Sequence, residues 1–248
     1  MTKEERLEKQ RKNFIRMQEY ENALYENGNE NGSVKYIAGV DEVGRGPLAG
    51  PVVTAAVILP RDFNILGVND SKQLTEKRRE ALYKEITEAA VAWSVGLRDN
   101  RVIDDINILN ATKEAMKDAV DSLKTEPDHV LVDALVIPGV SIPQTGIIKG
   151  DANSVSIAAA SIIAKVTRDH MMVEYAKHYP DYAFEKNKGY GTKAHYEGLD
   201  RAGASPIHRM SFLVKYFESK DKELYSYRIS VSANKIPYLF LKLTKLFP

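Results

Sequence analysis

Two adjacent carboxylates, Asp41 and Glu42, leave an apolar run and enter the glycine-rich turn Gly44-Arg45-Gly46-Pro47-Leu48-Ala49-Gly50. A strand heading into a core avoids neighbouring acids, because packed like charges repel and desolvation penalises both unless a cation neutralises them. The segment therefore points to a bound divalent metal, with a solvated acidic turn closing a hairpin as the alternative. Adjacent residues on a regular strand face opposite sides, so the two acids converge only if the strand twists or ends there. The glycine two residues on is compatible with that.

The metal has to be a hard one. Cysteine is absent, which excludes disulfides, thiolate zinc sites and thiol nucleophiles, and the five histidines (129, 170, 178, 195, 208) form no HExxH-like group. They read as surface or packing residues. Asp and Glu oxygens suit magnesium or manganese. With 248 residues, 44% of them apolar, the chain can bury a sizeable core as one large domain with appendages. It has no signal-peptide pattern and no run near the roughly 18 apolar residues that span a bilayer, so a cytoplasmic protein without membrane association is expected.

Net charge is only +1, but it is unevenly spread: residues 186–248 carry 12 Lys/Arg against 5 Asp/Glu, and residues 35–185 carry 17 against 22. An acidic centre beside a basic C-terminal quarter suits a phosphodiester-cutting site, in which carboxylates hold metal and lysines hold backbone. Solvated helix-surface lysines would give the same count.

Along the chain, residues 2–25 read as an amphipathic helix opened by a Thr2/Glu5 capping box, with Leu7, Phe14, Met17 and Leu24 near one face. Residues 26–33 read as a flexible linker. Strands are expected at 35–41 and 51–59, joined as a hairpin, then at 91–98, 129–133 and 146–149. Helices are expected at 75–90, capped by Thr75, at 104–124, at 155–178, capped by Ser154, at 192–202 and at 205–218. The result is an α/β architecture, a mixed five-stranded sheet flanked by helices with a helical C-terminal extension. It divides as an N-terminal helix and linker (1–34), a catalytic domain (35–213) and an extension (214–248). The apolar, basic tail 219–248 reads as a segment docked on the core, or else as a partner-binding or membrane-surface segment.

Three of these strands deliver acids at or just beyond their ends: Asp41 and Glu42, then Asp133, then Asp151. Strand ends in α/β sheets project into one crevice. Four converging acids would hold about two divalent ions, enough for in-line phosphoryl displacement.

The segment Tyr36-Ile-Ala-Gly-Val-Asp-Glu-Val-Gly-Arg-Gly-Pro-Leu-Ala-Gly-Pro-Val-Val53 resembles the opening motif of the ribonuclease HII family. Further matches follow in order: Asn69-Asp70-Ser71-Lys72-Gln73-Leu74, Val132-Asp133-Ala134, Lys149-Gly150-Asp151, Ser156 to Asp169, Lys188-Gly189-Tyr190-Gly191-Thr192, and Ser205-Pro-Ile-His208-Arg209. The resemblance spans about residues 36–213. It implies a ribonuclease H-like fold and endonucleolytic cleavage of RNA in RNA–DNA hybrids, including single ribonucleotides embedded in duplex DNA, as in ribonucleotide excision repair. Manganese or magnesium would be the cofactor, and a monomer the working form.

By the same resemblance, Asp41, Glu42, Asp133 and Asp151 match the metal-binding acids. Gly44, Arg45 and Gly46 match the turn that reads the ribose 2′-hydroxyl, and Tyr190 matches a tyrosine that packs on the ribonucleotide. Glycine backbone can approach a sugar closely, and the 2′-hydroxyl is the group that separates RNA from DNA locally. Ser71, Lys72, Lys165 and Arg168 are candidate phosphate contacts, although Lys165 and Asp169 are also spaced for an i, i+4 ion pair. Met210 departs from the family, standing where a second arginine is common.

Three other readings stand against this one. A phosphate-binding loop at 44–50 lacks the GxxxxGK[ST] pattern. A nucleic-acid-binding module that does not cleave is disfavoured by the presence of all four acids. Ribonuclease HIII resembles a longer chain with a different substrate-reading turn.

Overall fold

The computed structural model describes residues 2–220. Its sheet holds five strands in the order β3-β2-β1-β4-β5: β1 (Ile37–Val43), β2 (Val52–Ile58), β3 (Ala92–Arg98), β4 (His129–Asp133) and β5 (Gln144–Ile147). β1 runs antiparallel to β2 and parallel to β4, and β4 runs parallel to β5, so the sheet is mixed as expected. All seven residues of β2 are buried, which explains its unbroken apolar Val-Val-Thr-Ala-Ala-Val-Ile reading.

The chain divides into two compact units. Among the described residues, one comprises the chain up to Val43, Val53–Leu97 and Lys113–Val166; the other comprises Gly44–Val52, Arg98–Thr112 and the described chain from Thr167 to Lys220. In the first, the sheet packs with α1 (Lys3–Met17), α2 (Glu19–Asn27), α3 (Glu76–Ala89), the one-turn α5 (Gly150–Asn153) and the leading half of α6 (Val155–His178). Nearly every residue from Val155 to Val166 is buried, as befits a helix that is apolar all round. The backbone of α6 comes so close to β1 that a Cβ at Gly39 would fall inside the main chain of Ser156.

The Thr2/Glu5 capping box and the Thr75 cap form as expected. The single helix expected over 2–25 is instead two, because the chain bends at Gln18 (φ −92°, ψ 0°). The bend lets Phe14 and Met17 enter the core beside α6, while Leu24 and Tyr25 pack on a second cluster around Ile37, Leu131 and Ile157. Of residues 26–33, expected as a flexible linker, the first two end α2 and the rest hold a hydrogen-bonded turn: Asn29 and Gly32 bond to each other through both backbone groups, and the Asn29 amide donates to the Asp128 carbonyl at 2.8 Å.

The second unit contains α7 (Phe184–Asn187), α8 (Lys193–Ala202), α9 (Met210–Glu218) and the trailing half of α6. α4 (Asn100–Asp121), which begins there, breaks at Asn107 (φ 67°). The Asn107 carboxamide oxygen accepts from Leu109 N and Asn110 N and so restarts the helix as a new cap. The helix expected from 205 begins only at Met210, because Asn100 Nδ2 draws the carbonyls of Pro206 and His208 into a loop at 3.1 and 2.9 Å. Expectations for residues 221–248 lie outside the described residues.

Candidate active site

Asp41 and Glu42 lie inside β1, opposite Ala55 and Thr54 of β2, rather than at its end. They converge nonetheless, because the Asp41 carboxylate curls back to accept the Glu42 N–H at 2.8 Å. Ligand oxygens of Asp41, Glu42 and Asp133, the last residue of β4, all lie within 4.8 Å of one another. Parallel pairing of β1 with β4 brings these ends together.

Burial pushes the Asp41 carboxyl well above its ordinary value, and the nearby Glu42 and Asp133 charges push it further. Hydrogen bonds from Ser161 of α6 and from the Glu42 N–H oppose that shift without cancelling it. Such a set repels itself when fully ionised and is relieved by a cation. All its donors are hard oxygens, which fits a magnesium- or manganese-class ion.

Asp151 lies beyond its strand rather than within one. β5 stops at Ile147, and Asp151 sits on α5, entered through a left-handed Lys149 (φ 56°). The Asp133 carboxylate accepts the Gly150 N–H at 2.6 Å, tying α5 to the end of β4. Burial, followed by the charges of Asp70 and Asp133, raises the Asp151 carboxyl above its ordinary value, while Lys72 Nζ at 3.8 Å counteracts. Burial lowers the Lys72 ammonium, but Asp151, Asp41, Asp70 and Glu42 together outweigh it and raise the group overall.

The Gly44–Gly46 turn belongs to the second unit. Gly44 has φ 93° and is so close to the Arg168 side chain that no Cβ would fit. Two buried arginines hold this turn. Arg209 donates to the carbonyls of Gly44 (2.6 Å), Arg45 (3.0 Å) and Gly50 (3.0 and 2.9 Å), and Arg168 donates to those of Pro51, Ala49 and Lys188 at 2.9, 3.1 and 2.8 Å. Arg45 and Gly46 are left exposed, and a Cβ on Gly46 would lie 3.6 Å from the Tyr190 ring. That ring is itself 44% exposed, hence accessible for stacking.

Behind Tyr190 runs a buried chain of one fixed polarity. Ser205 N donates to His208 Nδ1 at 2.8 Å, so His208 Nε2 carries the proton that it shares with His195 Nε2 at 2.8 Å. His195 Nδ1 then donates to the Tyr190 carbonyl at 2.9 Å. Burial drives His208 down to about 3, with His195 contributing, and lowers His195 as well.

Two of the expected phosphate contacts are buried. Arg168 is wholly buried with its guanidinium committed to three carbonyls, and Ser71 is buried with its hydroxyl 2.9 Å from Ser161 Oγ. Lys72 is exposed, and Lys165 is half-buried on α6. Arg209 as the anchor of the turn, Ser161 as a partner of Asp41 and the His195–His208 pair went unassigned in the sequence. Ser161, His208 and Arg209 lie within recognised motifs and His195 lies three residues beyond one, yet nothing in a linear sequence tells a buried side chain from an exposed one.

The ribonuclease HII family model matches residues 38–215. A ribonuclease HII of Ligilactobacillus salivarius is 59% identical over 207 residues, covering 84% of this chain and 79% of that protein. Among solved structures, the chain resembles the ribonuclease H2 of Pyrococcus horikoshii (TM-score 0.59, 31% identity, 71% of this chain and 93% of that one). It also resembles the ribonuclease HII of Archaeoglobus fulgidus solved in complex with PCNA (TM-score 0.60, 27% identity, 71% and 94%). Together with a mixed sheet that gathers acids from β1 and β4, these matches show that the chain belongs to the ribonuclease HII family.

Proposed function

We propose that this chain cuts 5′ of single ribonucleotides embedded in duplex DNA, as well as hydrolysing the RNA strand of RNA–DNA hybrids, the activity of its family. The observation that carries this reading is the meeting of Asp41, Glu42 and Asp133 oxygens within 4.8 Å of one another. Asp151, held beside Asp133 by α5, would complete the set. Asp41, Glu42, Asp133 and Asp151 would hold a pair of magnesium or manganese ions, which would supply Lewis acidity for phosphodiester hydrolysis at this site.

The protein's own part is to hold the acids and to choose the sugar. Ser161 and the Glu42 N–H orient the Asp41 carboxylate, and the Gly150 N–H orients Asp133. The exposed Arg45–Gly46 backbone, anchored from beneath by Arg209, would approach the 2′-hydroxyl, with the Tyr190 ring packing against the ribose. Lys72 is the remaining exposed candidate for a phosphate. No described helix is long and apolar enough to cross a membrane.

The test is a labelled DNA duplex carrying one ribonucleotide, alongside an RNA–DNA hybrid and an all-DNA control. Cutting on the 5′ side of the ribonucleotide, giving 3′-hydroxyl and 5′-phosphate ends, is expected. Cutting of the hybrid alone, or ends bearing a cyclic 2′,3′-phosphate, contradicts the reading.

A further inference from the structure

The N-terminal helices precede residue 38, where the family match begins, yet they reach the element that carries Asp151. Arg16, at the end of α1, donates from Nη1 to Asn153 Oδ1 at 2.8 Å and from Nη2 to the Ala152 carbonyl at 2.7 Å. A third bond, from Nη2 to Asn13 Oδ1 at 3.0 Å, fixes the guanidinium to its own helix. One helix further on, the buried Glu21 of α2 is aimed at the joint between α5 and α6. Its Oε1 accepts from Ser154 Oγ at 2.6 Å, Ser156 N at 3.0 Å and Ser156 Oγ at 2.6 Å.

These contacts close a frame around Asp151. α5 is a single turn, too short to be stable by itself, and it is entered through the left-handed Lys149. At its start the Asp133 carboxylate grips the Gly150 N–H. At its end Arg16 grips Ala152 and Asn153, and Glu21 grips Ser154. Asp151 lies between the two grips. The Glu21 carboxylate also sits at the N-terminus of the long α6, where the helix dipole favours negative charge.

We propose that Arg16 and Glu21 are positioning residues for the acid set: the N-terminal helix pair braces α5 so that Asp151 is presented to the metal alongside Asp133. This rests on the reading of Asp151 as a metal-binding acid. The brace acts through α5 and touches neither metal nor substrate. Arg16 is exposed, and its strength comes from two-pronged geometry rather than buried charge, so lysine at that position cannot reproduce it.

The experiment uses the full chain with Arg16→Ala, Arg16→Lys, Glu21→Gln and Asp151→Asn. Manganese affinity is read directly by electron paramagnetic resonance. Hybrid cleavage is followed against manganese concentration at a temperature where thermal unfolding shows every variant fully folded. Partners that orient metal ligands typically govern affinity by 10–100-fold, and one step further out the expected loss is roughly tenfold in Arg16→Ala. A smaller loss is expected in Glu21→Gln, with Arg16→Lys falling near Arg16→Ala and KM for the hybrid unchanged in all three. Weakened manganese binding in Asp151→Asn but wild-type binding in the folded Arg16→Ala and Glu21→Gln variants overturns the brace while leaving the acid set standing. Wild-type manganese binding in Asp151→Asn overturns both.

Discussion

His208 gives the sharpest case of a single residue setting a solution property. Its neutral ring is required by the donor at Ser205 N and by the shared proton with His195, and burial holds it at about 3 against an ordinary 6.5. A histidine depressed in the folded state leaves stability intact above the unfolded value and costs stability as pH falls below it, because the unfolded chain takes up the proton first. At pH ~5 that loss amounts to about 2 kcal/mol from this residue. Denaturant melts at about pH 7.5 and 5 should therefore show a pH-dependent drop that is smaller by about 2 kcal/mol in His208→Gln. An equal drop in both proteins would mean that His208 is not held neutral by the fold. None of this was readable from sequence, where the five histidines gave no pattern beyond packing or surface positions.

At the scale of elements, β1, β2, α3, the His129–Asp133 strand and the long α6 were readable because apolar periodicity and caps act locally. What escaped depends on partners distant in the chain. Asp151 was expected at or just beyond a strand end; it follows β5, which stops at Ile147, and rides on α5, whose Gly150 N–H the Asp133 carboxylate accepts. Arg168 looked like a phosphate ligand on a helix face, whereas its guanidinium replaces solvent for three loop carbonyls. Arg209 does the same for the turn itself, at Gly44, Arg45 and Gly50, and burial lowers it to about 9 while leaving it charged at neutral pH. Arg209→Met should strand these carbonyls and lower unfolding free energy by about 3 kcal/mol or more. The measurement is urea denaturation, and a loss below about 1 kcal/mol would show that the turn holds without its anchor.

Across the molecule, electrostatic self-repulsion and catalysis share one cause. Asp41, raised by burial and by Glu42 and Asp133, is a carboxylate whose folded-state value lies above its unfolded one. Its contribution is thus favourable at acid pH and lost as pH rises through the folded value, so at neutral pH the metal-free protein carries an unrelieved cost. Asp41→Asn should remove that cost, raising metal-free stability by about 1 kcal/mol, or roughly 2–4 °C for a chain of this size. The acid pattern that made the site readable from sequence is also one whose self-repulsion a cation relieves.

The most direct measurement is hydrolysis of an RNA–DNA hybrid titrated with manganese or magnesium, for the wild-type chain, Asp41→Asn and Asp133→Asn. Metal-dependent cleavage in the wild type, reduced by about three orders of magnitude in both variants while they still melt cooperatively, is the predicted result. Near-wild-type rates in either folded variant would contradict a metal site built from these carboxylates.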